Sequence, residues 1–96
     1  MSRRYTRTAF PNLEDLPNVG PAIARDLRRL GVRKPFQLKG RSPVGLYESL
    51  NRTTRRRHDP CVLDTFMAVV DFVNGAPERP WWNYTPKRKR LRVRNT

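Results

Sequence analysis

The chain has 96 residues, 36% of them apolar, which suits one small domain around a single core. Its 21 Lys and Arg against 8 Asp and Glu give a formal charge of +13, far beyond what solubility requires, and a polyanion is the natural counterpart. One cysteine excludes an intrachain disulfide framework, the longest apolar run (residues 66–70) is too short to cross a bilayer, and residues 1–10 lack a signal-peptide core. The composition therefore predicts a cytoplasmic protein with no membrane partner, and its charge predicts association with the nucleoid.

Residues 1–11 are polar, basic and aperiodic, and read as a flexible basic arm. Asn12 is a good N-cap for a first helical turn carrying Leu13, Glu14, Asp15 and Leu16. Pro17-Asn18-Val19-Gly20 is too punctuated for helix and predicts a tight turn, with positive φ at Asn18 and Gly20 and Val19 plugging inward. Pro21 then suits a first helical position, Ile23, Leu27 and Leu30 stripe one face, and Gly31 closes the helix. Ser42-Pro43 and Asp59-Pro60 repeat this cap-then-proline grammar. They open a helix with Val44, Leu46, Tyr47 and Leu50, and a very apolar one over residues 61–73 whose expected wet side is marked by Asp64 and Asp71. Residues 76–84 read as a wrap in which at least one of Trp81 and Trp82 lids the core, base or partner stacking being the other reading. Residues 86–96 form a basic tail, either a short helix from Thr85-Pro86 or a segment disordered until it meets a polyanion. With no alternating β-branched run, the prediction is an all-α compact helical bundle, its domain spanning residues 12–85.

The arginines are not confined to the ends. Setting aside nine basic residues in the first and last ten leaves 12 basic against 8 acidic in the middle, still a net +4. The expected nucleic-acid contacts are backbone amides of Asn18, Val19, Gly20 and Ala22 at a helix start, where orphan N–H groups and the helix dipole favour a phosphate oxygen. Arg25, Arg28 and Arg29 extend that site; Arg55, Arg56 and Arg57 before the Asp59 cap form a second clamp, and Lys87, Arg88, Lys89 and Arg90 add electrostatic reach. Such contacts read backbone and not base sequence. His58 and Cys61 invite a catalytic or metal reading, but one Cys and one His make a poor ligand set. A buried thiol beside a turn-bracing histidine is the plainer account, with no cofactor and no enzyme activity expected.

Residues 16–24, with Leu27, Leu30, Gly31 and Val32, resemble the helix-hairpin-helix motif. Asn18 stands at its first glycine, and Ala22 stands where many members carry Lys or Thr. Together with Leu38-Lys39-Gly40, Leu46-Tyr47, the string from His58 to Asp64 and Trp81-Trp82, the chain resembles the small bacterial pathogenicity-locus family, some of whose members are labelled mitomycin-resistance proteins. That resemblance implies a DNA-associated helix-hairpin-helix protein. The layout further suggests a degenerate double hairpin, SAM-domain-like, with residues 43–74 as the second half. The expected function is binding to nucleic acid, double-stranded DNA backbone foremost. The alternative is a protein-interaction adaptor anchored by Trp81 and Trp82.

Overall fold

A computed structural model describes residues 10–91, and every regular element among them is helical. In chain order these are a 3₁₀ turn Leu13–Asp15, α1 (Pro21–Arg29), a 3₁₀ turn Pro35–Leu38, α2 (Pro43–Thr54), α3 (Pro60–Val73), a 3₁₀ turn Trp81–Tyr84 and α4 (Thr85–Arg90). The class is all-α, as the pattern predicts. Most of the 1–11 arm and residues 92–96 of the basic tail lie outside the described residues.

Local chemistry accounts for the helix bounds. Pro21, Pro43 and Pro60 each open a helix at a position that has no use for an N–H. The Ser42 hydroxyl accepts from the Gly45 amide at 3.0 Å and the Asp59 carboxylate accepts from the Cys61 amide at 2.9 Å, satisfying one orphan donor in each helix. α1, α2 and α3 also leave by the same route, with a residue at positive φ just past the end: Gly31 at 86°, Arg55 at 58° and Gly75 at 113°. At each exit the next amide reaches back across the last turn, Val32 to Leu27, Arg56 to Asn51 and Ala76 to Asp71, within 2.9–3.1 Å. Arginine at the second of these exits occupies a conformation that glycine takes more cheaply.

α3 is the central beam. Ten of its residues are buried, including Leu63, Phe66, Met67, Val69, Val70 and Val73, and it packs against α2, α4 and the 3₁₀ turns at 35–38 and 81–84. A helix apolar nearly all round must be covered on nearly all sides. The covering layer contributes Leu38, Leu46, Tyr47, Leu50 and Tyr84, while Leu13, Leu16, Val19, Ala24, Leu27 and Val32 bring the α1 unit into the same core.

Two expectations are corrected here. Asp64 does not mark a wet side of α3: its residue is 0% exposed, and its carboxylate accepts from the Thr85 hydroxyl at 2.6 Å and from Arg88 Nε at 2.8 Å. A buried carboxylate is tolerable because α4 delivers a cation and a hydroxyl to it. The short-helix reading of Thr85-Pro86 therefore holds, and α4 is latched to α3. Gly20, expected at positive φ, instead has φ −93° and ψ −175°, extended backbone open to any residue, and a Cβ there would meet nothing within 4 Å.

Candidate nucleic-acid interface

The first turn is built around Asn18. The Val19 amide donates to the Leu16 carbonyl at 3.2 Å with Pro17 and Asn18 between them, and Asn18 has φ 70°. Proline followed by a residue at positive φ is the signature of a type II turn. The Val19 amide, expected to face phosphate, is thus consumed within the turn, and its side chain is buried as predicted. Asn18 turns its side chain the other way. Its Nδ2 donates to the Arg79 carbonyl at 2.8 Å and its Oδ1 accepts from the Trp81 amide at 3.0 Å, clamping the 79–81 segment to the turn. What remains outward is the start of α1. Gly20, Pro21 and Ala22 are exposed, and the first helical bond is made by Ala24 to the Gly20 carbonyl at 3.0 Å, so the amides of Gly20 and Ala22 precede it.

Along α1, Ala22, Arg25 and Arg29 share an exposed face at helical spacing. Arg28 does not join them: it grips Glu14 in a two-pronged pair, 2.9 Å on each arm, tying α1 to the 3₁₀ turn before it. That pair holds the Glu14 carboxyl below and the Arg28 guanidinium above their ordinary ranges.

The second turn presents Arg55, Arg56 and Arg57, all exposed, on a pinned backbone. Asn51, buried in the last turn of α2, accepts the His58 amide on its Oδ1 at 2.9 Å; Tyr47 donates its hydroxyl to the His58 carbonyl, and Thr54 Oγ1 lies 2.9 Å from His58 Nε2. Burial first, then the guanidiniums of Arg56 and Arg29, hold the His58 imidazole below the usual histidine range, with Asp26 of α1 opposing them. Arg57 in turn shares a groove of about 260 Å³ with Arg88 and Lys89, floored by Tyr47, Pro60, Leu63 and Leu91. A second pocket of about 240 Å³ is walled by Asn51, Arg52, Arg55, Arg56 and Arg57.

α4 distributes its cations in three directions instead of forming one basic tail. Lys89 faces Arg57; Lys87 lines grooves on the opposite flank with Arg41 and with Trp82; Arg88, its side chain 21% exposed, points inward to Asp64, whose hydrogen bond raises its pKa. Arg90 is exposed.

A model of the family described as Cdd1, pathogenicity locus, matches residues 6–90. The chain belongs to that family. It is 50% identical over 80 residues to the mitomycin resistance protein McrB of Streptomyces lavendulae, covering 83% of this chain and 76% of the relative. No solved structure matches.

In this family member the string from His58 to Cys61 has a structural part to play. His58 braces the second turn through three of its polar groups, as its position before the cap suggested. Cys61 is half-buried and not fully enclosed; burial, aided by the adjoining Asp59 carboxylate, pushes its thiol above the usual range, opposite to what an activated nucleophile needs. Among the described residues no three His, Cys, Asp or Glu side chains gather as a metal site, and no helix is long and apolar enough to cross a membrane. Trp81 packs on the core as the expected lid, while Trp82 is 61% exposed. The Asn18 clamp, the Asn51 pin and the Asp64 latch carried no sequence signal beyond a polar residue at each position.

Proposed function

We propose that this protein binds nucleic-acid backbone, duplex DNA foremost, without sequence preference, and that the 13–29 and 43–73 segments act as two helix-hairpin-helix halves of one grip. The observation that carries this reading is a cationic track made of two exposed sets. One is the start of α1 at Gly20 and Ala22 with Arg25 and Arg29, and the other is Arg55, Arg56 and Arg57, the last sharing a groove with Lys89. The stretch of α1 from Ala22 to Arg29 covers roughly 10 Å. Phosphates along such a track are held by charge-assisted bonds and by the helix N-terminus, none of which distinguishes one base from another. The role is binding and not catalysis, consistent with a braced His58 and an unactivated Cys61. Association with the nucleoid follows from the same charge, and the resistance named in the Streptomyces lavendulae relative is carried over as an expected phenotype.

The test is affinity for a labelled blunt duplex as a function of salt. Log affinity is expected to fall linearly with log salt, with a slope of about −0.9 for each phosphate neutralised. Replacing Arg55, Arg56 and Arg57 with Gln flattens the slope, and so does replacing Lys89, whereas Arg88 must be left intact because it holds α4 in place. Combining the triple variant with Arg25→Gln and Arg29→Gln costs less than the sum of the two, since both sets grip one ligand. A salt-independent affinity would overturn the reading. The adaptor alternative draws on the exposed Trp82 and Phe36 rings, and it predicts partner binding that survives high salt.

A further inference from the structure

The groove around Trp82 lies outside the cationic track. It has a volume of about 520 Å³ and is lined by Asp71, Arg79, Trp82, Asn83, Tyr84, Pro86 and Lys87. Three observations distinguish it from an ordinary exposed aromatic. The ring is held: Trp81 meets it edge-on at a centroid distance of 5.6 Å and an interplanar angle of 84°, and Trp81 itself packs on the core. The backbone beneath it is held too, because Asn18 clamps the Arg79 carbonyl and the Trp81 amide to the first turn. And the groove is flanked by two cations, Arg79 and Lys87, against one carboxylate, Asp71, which sits with Arg79 at the buried Tyr84 hydroxyl.

We infer that Trp82 is a stacking platform for an unpaired nucleobase, with Lys87 and Arg79 taking the flanking phosphates. This inference rests on the nucleic-acid reading proposed above and deepens it. A flat, preordered indole offers its π-face to any base, and little rotamer entropy is lost when the base lands. A ring flanked by cations suits an anionic strand, whereas a docking anchor for protein favours a lining less charged than Asp71, Arg79 and Lys87 give this groove. The Asn18 clamp ties the platform to the turn whose exposed amides begin the cationic track. A strand bound at α1 therefore passes within reach of Trp82 where its base is unpaired, and the preferred ligand is a duplex bearing a single-stranded extension.

The experiment compares the full chain with Trp82→Ala, Trp82→Phe and Lys87→Ala on three probes: a blunt duplex, the same duplex with an unpaired thymidine extension, and an oligothymidylate. Trp82→Ala is expected to weaken binding to the two probes with unpaired bases about tenfold and to leave the blunt duplex unchanged. Trp82→Phe restores most of that loss, and Lys87→Ala lowers the salt slope on the extended duplex by about one contact. Indole emission of the wild-type chain is quenched by oligothymidylate, and the quench disappears in Trp82→Phe. If the blunt duplex binds but Trp82→Ala leaves the extended duplex untouched, the platform is overturned while the backbone reading stands; that is also the result for a ring that docks protein. If no probe binds the wild-type chain, the backbone reading falls and takes the platform with it.

Discussion

The two turns of this molecule solve one steric problem with different side chains. Each needs a residue at positive φ, and each uses a residue other than glycine, Asn18 at 70° and Arg55 at 58°. Asn18 takes the conformation readily and spends its amide inward, on the 79–81 segment. Arg55 takes it at a cost and turns a guanidinium outward, so its backbone must be secured by neighbours, Asn51, Tyr47 and Thr54 acting on His58. The lesson is that the first turn spends its own polar groups on structure, the Val19 amide on Leu16 and the Asn18 side chain on the 79–81 segment, while the second carries its cations outward on borrowed rigidity. Non-glycine residues in strained backbone concentrate where function asks for them.

The comparison breaks most readily at Asn51. Asn51→Leu removes the acceptor for the buried His58 amide, and about 2 kcal/mol of stability is expected to go with it, read from a denaturant midpoint. A loss under half of that would mean the second turn is held otherwise. Asn18→Gly sharpens the contrast, since it keeps the positive φ and deletes the clamp. Stability should fall by about 1–2 kcal/mol for two lost hydrogen bonds, with affinity for a blunt duplex nearly unchanged. Equal losses in both would show that the clamp shapes the α1 amides as well. Arg55→Gly should move the two properties in opposite directions. The fold gains about 0.5–1 kcal/mol by relief of the left-handed arginine, and duplex affinity falls with the lost charge. Smallest is Gly20→Val. With φ −93° and open space around the Cβ position, it should cost the fold less than about 0.5 kcal/mol, and any loss of duplex affinity would then report crowding at the α1 amides alone.

Much of this was legible in the chain itself. Ser42, Asp59 and the prolines after them mark helix starts, and Gly31 marks an end, because capping is a contest between groups a few residues apart and is decided by local sequence. The apolar stripe of residues 61–73 announced the central helix, since nothing else could hide so much apolar surface in so short a chain. The family resemblance rested on the same local strings. The sequence also supplied the charge and placed arginines before the second cap. Tertiary structure decided where those charges go. Asp64 reads as a solvent-side residue until α4 folds over it, and Arg88 reads as one cation in a basic run until it reaches that carboxylate, 24 positions away. Asn18 meets Arg79 across 61 positions and Trp81 across 63. Pairings of that range leave no periodic trace, because each partner alone is an ordinary polar residue and its burial is set by what the rest of the chain lays against it.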